Sequence, residues 1–506
     1  MSSPYAATSP TTTDSIAYAS LSTDSHSYTM QEFALCHFRK PQPALWGSMG
    51  APGPTIQSLW PQAPIKESLI SLSDEDTNKQ AVESFRVLMQ FMGDQPKPRG
   101  KNDLELLYEL LKLCREENLR DEIYCQVIKQ VTCHPQPEHC TRGWNLLSLL
   151  TGCFSPSATL MPYVIKFLQN SGSSQELARN SQEHLQRTVK YGGRQRLPSL
   201  GEIQAFLKGQ GMRSLLIHLP GGVDYRTTIQ TFTVAAEVVE ELCRQMGITD
   251  PQEMQEFALF LIKKEGELVR PLLPHEYLNS VVEQDTSLHS RRLIWETPLH
   301  FDNPTYITTH YKQVSCHPHP GLHAAYRSLD PGLQLANEPL PGWGTSKPPP
   351  SQDMLNYLPK PLRGHVNIPI IKKLIDQELR QLQVYNSQEA QISFIEAVSQ
   401  LPLFGYTVYV VLRVSQMALP GPSLLGLNHQ HLIVMDPCSQ KQCCSITLKD
   451  LHRLHLLSPL ESEGPPGLEL NYGSADNPQT IWFELLKAQE LMHTIVFLTD
   501  RGLPSK

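Results

Sequence analysis

The groups whose spacing in this 506-residue chain approaches that of reactive motifs are few, and each falls short for a physical reason. Gly93 to Lys101, GDQPKPRGK, has the outline of a phosphate-binding loop. Its six intervening residues include two prolines, and Asn102 stands where a magnesium-binding hydroxyl belongs. Too few backbone N–H groups would converge on an anion there. Cys133, His134, His139 and Cys140 are the densest set of metal-ligating types. Zinc takes spaced pairs in a tetrahedron, and neighbouring side chains diverge, so this stretch reads as a helix–helix loop with buried or half-exposed thiols. Gly209 and Gly211 lack a third glycine and precede a strand, which is no dinucleotide fingerprint. Cys438, Cys443 and Cys444 read as small apolar residues on or beside a strand. No nucleophile elbow occurs, and the 19 histidines form no helical pair with a carboxylate. The expectation is a chain without catalytic residues, metal or cofactor.

The balance of 43 basic against 50 acidic residues, a net charge of −7, excludes a globally basic nucleic-acid binder. One local excess remains. Between residues 166 and 196, Lys166, Arg179, Arg187, Lys190, Arg194 and Arg196 face only Glu176 and Glu183. Lys166, Arg187, Lys190, Arg194 and Arg196 are the candidate patch for an acidic partner such as a microtubule surface. The longest uncharged stretch, Trp144 to Ile165, contains Pro156, Pro162 and Gly152 and reads as core helices, not a membrane span. The start MSSPYAATSPTTTDS has no signal-peptide character, and 11 scattered cysteines fit a reducing compartment. An intracellular, soluble, multidomain protein is expected.

The elements that must position any site can be read from periodicity. Residues 1–65 are rich in Ser, Thr and Pro and read as a linker. It is interrupted by one short helix near 29–39, where Thr29 and Glu32 have capping-box spacing before Phe33, Ala34 and Phe38. Residues 66–205 are helical throughout. Residues 119–131 carry apolar groups on two faces (Ile123, Val127 and Val131; Tyr124 and Ile128), which places that helix inside a bundle. Alternation then takes over. Leu215, Ile217 and Leu219, a Pro220-Gly221-Gly222 turn, and Tyr225, Thr227 and Ile229 read as a hairpin. A helix over 234–246 and an apolar run over 257–263 come next, the order of a ubiquitin-like grasp fold. Eight prolines in 315–350 exclude a packed core there. Helices resume at 368–383 and 388–400. From 405 to 500, short strands end in a helix carrying Ala488, Leu491, Met492, Ile495 and Leu498, which suggests a pleckstrin-like sandwich. In its first strand, Tyr406, Val408, Val410, Leu412 and Val414 are expected to line one face.

The residues also carry a resemblance. Leu119-Arg120-Asp121-Glu122-Ile123-Tyr124-Cys125-Gln126 with Lys129-Gln130, then Arg142-Gly143-Trp144 and Gly152-Cys153-Phe154-Ser155-Pro156, resemble the MyTH4 domain of myosin tails. Arg120, Asp121, Glu122, Tyr124, Gln126 and Trp144 are its structural motif here. The chain beyond residue 205 resembles a FERM domain. TMQEFALCHFRKPQ, QEAQISFIEAVSQLPLFGYTVY, LLGLNHQHLIVMDP and LNYGSADNPQTIWFEL resemble unconventional myosins of class XV.

The resemblance implies an all-α MyTH4 bundle over 66–205 and a multidomain α+β FERM unit beyond it. Its ubiquitin-like lobe and the start of the central lobe span 206–314. After the Pro-rich 315–350 come the remaining central-lobe helices (351–404) and a PH-like lobe (405–500), with the central lobe incomplete. It implies a cytoplasmic, cytoskeleton-associated module that binds cargo and cytoskeletal proteins, including microtubules, with no motor in this chain. Two other readings compete. One is a cortical scaffold on anionic lipids, disfavoured by 5 basic against 9 acidic residues over 405–500. The other is a fragment that competes with a longer myosin. The terminal Leu503-Pro504-Ser505-Lys506 is a poor fit to an apolar carboxylate-capturing pocket.

Overall fold

The computed structural model describes residues 28–39, 63–316 and 387–502, apart from residue 73 and short stretches at 173–175, 264–268, 402, 416–421, 437–440, 460–463 and 475–476. The helix expected at 368–383 and most of the Pro-rich segment lie outside the described residues.

Among the described residues, eight helices come first: α1 (Met30–His37), α2 (Glu75–Met92), α3 (Asp103–Leu113), α4 (Glu117–Val131), α5 (Pro137–Cys153), α6 (Met161–Gly172), α7 (Glu176–Tyr191) and α8 (Leu200–Leu207). Their ends are chemically marked. Asp74 caps α2 through the Thr77 N–H at 2.7 Å, and Gly93 ends it at φ +102°. Asn102 with Glu105 and Ser199 with Glu202 form capping boxes on α3 and α8. The short helix expected near 29–39 exists as α1, with the Thr29–Glu32 box at its start. It docks through Met30, Phe33 and Ala34, Phe33 meeting Tyr163 edge-on at 5.1 Å.

Helix α4 is the axis of the bundle. Ile123, Tyr124, Val127 and Ile128 are fully buried, as the two-faced pattern requires. Glu122 and Gln126, polar residues of the same helix, are fully buried too, and both are hydrogen-bonded. Glu122 accepts the backbone N–H groups of Leu69 and Ile70, both at 2.8 Å, and the Gln126 amide at 2.9 Å. Burial raises the Glu122 carboxyl, opposed by those three donors. Gln126 also donates to Ala81 O (2.8 Å) and accepts from Ser84 Oγ (2.9 Å). Tyr124 donates to Phe154 O at 2.7 Å. Asp121 holds the Ser157 N–H at 2.8 Å, and Arg120 reaches Cys114 O at 3.2 Å. Trp144 on α5 stacks on Phe167 with centroids 5.6 Å apart. Gly143 beside it is obligatory, since a Cβ there would meet Val131 at 2.5 Å.

A five-stranded sheet comes after the bundle, ordered β2-β1-β5-β3-β4 from β1 (Arg213–Leu219), β2 (Val223–Ile229), β3 (Phe257–Lys263), β4 (Val269–Pro271) and β5 (Thr286–Arg292). Helix α9 (Ala235–Gln245) packs Val238, Val239 and Leu242 across its inner face against Ile217, Phe257 and Leu259. This is the grasp arrangement expected from the hairpin and helix. Two helices of the central lobe, α10 (Pro304–Cys316) and α11 (Ser387–Ser399), pack together through Ile307, Tyr311, Phe394 and Ile395.

The last lobe is a sandwich of two four-stranded sheets. One is ordered β10-β9-β8-β6, from β6 (Thr407–Val411), β8 (Ser423–Leu427), β9 (His431–Met435) and β10 (Gln442–Thr447); β7 (Arg413–Val414) crosses to the other. That sheet runs β11-β12-β13-β7 with β11 (Leu451–Leu457), β12 (Gly467–Ser474) and β13 (Asn477–Glu484), and α12 (Ala488–Gly502) closes the lobe. The single face expected from Tyr406 to Val414 is corrected here, because β6 ends at Val411 and β7 starts at Arg413. Tyr409 and Val411 enter the core, whereas Val410 and Leu412 are 42% and 41% exposed. The chain changes sheets at Leu412, whose N–H donates to Glu484 O at 2.8 Å, so no single alternating face runs from 406 to 414. Cys443 is exposed on β10, and Cys444 is partly buried against the core.

Replacing Glu122 by alanine leaves the Leu69 and Ile70 N–H groups and the Gln126 amide without their buried acceptor. The expected loss is about 2–4 kcal/mol. Hydrogen exchange at those two amides should accelerate ahead of the rest of α4, and denaturant titration should give the loss.

Candidate binding surfaces

Two of the five candidate cations are not offered to solution. Arg194, in the loop after α7, has a side chain only 2% exposed. Its guanidinium donates to both oxygens of Glu202 (2.9 and 3.1 Å), to Ser280 Oγ (2.7 Å) and to Thr231 O (3.3 Å). Arg187 donates to Glu237 on α9 at 2.8 Å. Both therefore join the helical bundle to the ubiquitin-like lobe. Sequence alone places them in a basic run because their partners lie up to 86 residues away. Lys166, Lys190 and Arg196 are exposed, and they are what remains of a charged surface.

The same seam is apolar at its centre. Phe232, Val234 and Tyr277 from the second unit belong to the core of the first. A Cβ on Gly152 would meet the Phe232 ring at 2.5 Å, so glycine is what admits it. Tyr277 donates to Gly192 O at 2.7 Å. His184 lies against Phe232, centroids 4.7 Å apart, with its Nδ1 at 3.0 Å from Ser148 O. Burial pushes its pKa down to about 4.

The expected cysteine–histidine loop is organised differently. His134 Nε2 and His139 Nδ1 both meet Asp94 Oδ1, at 3.1 and 2.8 Å, while Gln130 donates to Asp94 Oδ2 at 2.8 Å. Cys133 is exposed, and Cys140 is buried with its Sγ turned to Val131 O. Three ligand atoms thus lie within 4.8 Å of one another. The Gln136 N–H, however, donates to His134 Nδ1 at 3.0 Å. The ring's one proton then sits on Nε2, the atom a metal would need bare. The group works as a clasp between the end of α2 and the α4–α5 loop.

Two concave or open features stand out among the described residues. A groove of about 670 Å³ lies between α1 and the start of α4, lined by Phe33, His37, Glu117, Arg120 and Asp121. In the last lobe, β11 is the end strand of its sheet among the described residues and lies against α12. Leu456 on β11 and Val496 on α12 are each 39% exposed. The sequence LHRLHLL hides this edge, because its burial does not alternate. No described helix is long and apolar enough to cross a membrane.

The bundle, the grasp sheet and the closing sandwich define a helical domain joined to a three-lobed one. The MyTH4 domain family matches residues 107–205, and the FERM central domain family matches residues 227–409. The chain carries a MyTH4 domain followed by a FERM domain, and it is similar along nearly all its length to unconventional myosins.

It is 68% identical over 97% of its length to human unconventional myosin-XVB, and 32% identical over 92% to human unconventional myosin-XV. It spans 16% and 14% of those two proteins. The solved MyTH4–FERM MF1 domain of Dictyostelium discoideum myosin VII shares the fold, with a TM-score of 0.57 and 19% identity over 94% of this chain and 97% of that one. So does the human myosin 7b C-terminal MyTH4–FERM domain in complex with the harmonin-a PDZ3 domain, at a TM-score of 0.55, 19% identity and the same coverages.

The seam generates two expected outcomes. Arg194→Ala, which removes a buried guanidinium and its bonds to Glu202, Ser280 and Thr231 across the seam, is expected to cost about 2–4 kcal/mol, and Arg196→Ala under about 0.5, by denaturant titration. Because His184 is held neutral, its contribution is complete above pH about 6.5 and falls as pH drops towards about 4. The slope is about 1.4 kcal/mol per pH unit, and His184→Gln should remove it from a stability–pH series.

Proposed function

We propose that this chain is a partner-binding tail module that links cargo proteins to the actin or microtubule cytoskeleton and does no bond-making of its own. The observation that carries this reading is the edge of β11 beside α12. An end strand has N–H and C=O groups without ladder partners, and it can accept an added strand while a neighbouring helix supplies apolar contacts. The welded MyTH4–FERM seam would hold that edge at a fixed distance from the basic residues of the bundle. The solved myosin 7b relative carries a PDZ-domain protein, which supports protein partners for this fold.

The exposed trio Lys166, Lys190 and Arg196 favours an acidic partner as a second contact, with Arg187 and Arg194 acting only through the seam. An anionic-lipid role draws no comparable support from the acidic last lobe.

The edge is tested by peptide-display selection against the whole chain, with Leu456→Glu/Val496→Glu as the counter-target. Selected peptides should be extended and bind the double variant at least tenfold more weakly. Equal binding to both forms would move the site elsewhere, and no enrichment would remove the reading. Reversing Lys166, Lys190 and Arg196 to glutamate should abolish low-salt microtubule co-sedimentation, because exposed charges act through screened, long-range attraction. Unchanged pelleting would exclude the trio.

A further inference from the structure

The outer face of the ubiquitin-like sheet carries a row of side chains that neither the seam nor the peptide edge uses. Register places it there. His218 on β1 is opposite Asp224 on β2, and the parallel β1–β5 pairing sets His218 beside His289. Registered residues on neighbouring strands share a face, so three polar side chains stand in line across three strands. His218 and Asp224 have side chains 34% and 54% exposed, and His289 is half-buried.

The hydrogen bonds fix the tautomer of one ring and permit the matching one in the other. Asp224 Oδ1 lies 2.7 Å from His218 Nδ1. A carboxylate only accepts, so Nδ1 carries the proton and Nε2 keeps its lone pair. At the other ring, Ser287 Oγ lies 3.1 Å from His289 Nε2 and 3.4 Å from Ile262 O. The serine can accept from Nε2–H while donating to that carbonyl, the tautomer that leaves His289 Nδ1 bare. This is the opposite of the Asp94 clasp, where the proton occupies the nitrogen that faces the other ligands. The carboxylate behind His218 is the outer-shell partner that ligating histidines ordinarily have.

The ring spacing also fits. The imidazole centroids are 4.8 Å apart, with planes tilted by 37°. For metal–nitrogen bonds of about 2.0–2.1 Å and a square to tetrahedral angle, two ligating imidazoles have centres roughly 4.5–5.2 Å apart. We propose that His218 and His289 form a site for a divalent transition-metal ion of the zinc and nickel class, with Asp224 orienting His218 and water completing the coordination. Imidazole ligands select this class over calcium and magnesium, which take oxygen.

The test is calorimetric titration of Ni²⁺ and Zn²⁺ into the whole chain, and into His218→Gln, His289→Gln, the double variant and Asp224→Ala. His134→Gln serves as a control at the Asp94 clasp. Circular dichroism melts establish that the variants fold. One equivalent should bind to the parent chain and to His134→Gln. Binding should weaken at least tenfold in each single histidine variant, vanish in the double, and weaken severalfold in Asp224→Ala. If a variant fails to fold, substoichiometric Cu²⁺ added to the unmutated, histidine-labelled chain should broaden the His218 and His289 ring resonances before all others. The proposal is overturned if the double variant binds Ni²⁺ as tightly as the parent, if the parent binds none, or if broadening starts at His134 and His139.

Discussion

A carboxylate at the centre of the helical domain, that of Glu122, organises what surrounds it. A lone buried charge is costly, and this one is tolerated because two backbone N–H groups and an amide converge on it. The backbone groups belong to Leu69 and Ile70, well before α4 in sequence. Ile70 in turn pairs with Phe38, and Arg39 N–H donates to Leu69 O at 2.8 Å. The position of α1 against the bundle is thus relayed from one side chain on the central helix. Gln126 and Gln130 continue the polar line towards Ser84 and Asp94. A helix lacking those groups would still be apolar on two faces, but nothing would set its rotation relative to α2.

A second polar node plays the corresponding part in the FERM unit. Arg292, fully buried, meets Glu256 at 2.6 Å and Glu253 at 3.3 Å. It also donates to Tyr306 Oη at 2.8 Å, which ties the last strand of the grasp sheet to the first helix of the central lobe. His310 beside it has Nδ1 against Tyr306 O (2.8 Å) and Nε2 against a guanidinium donor (3.2 Å). Those roles demand a neutral ring, and burial pushes its pKa down to about 3. Both nodes use charge where apolar packing alone would leave neighbouring elements free to slide.

What the sequence made legible was governed by distance along the chain. The two-faced pattern of 119–131 marked an interior helix because every residue of the signal lay within four turns. The Pro220-Gly221-Gly222 hairpin and the Thr29–Glu32 cap were local in the same sense. The strands β5, β8, β11 and β12 were not, since their burial is set by partners on other strands. β11 faces solvent on most positions, and β8 is apolar almost throughout. The candidate site suffered most from this. Arg187 and Arg194 look like free cations until Glu237 and Glu202 are brought to them. His218 and His289 are 71 positions apart and become neighbours only through a parallel pairing. Asp94 likewise reaches His134 and His139 only after α2, α4 and α5 have packed.

Phe232, Val234 and Tyr277 sit in the hydrophobic core of the preceding domain. A pull applied at the far lobe therefore has no slack hinge at this joint in which to dissipate. Tension must travel through interlocked side chains, and separating the two units means tearing one continuous interior. Such a joint behaves as a strut, passing displacement from a captured load to whatever lies at the other end with little loss.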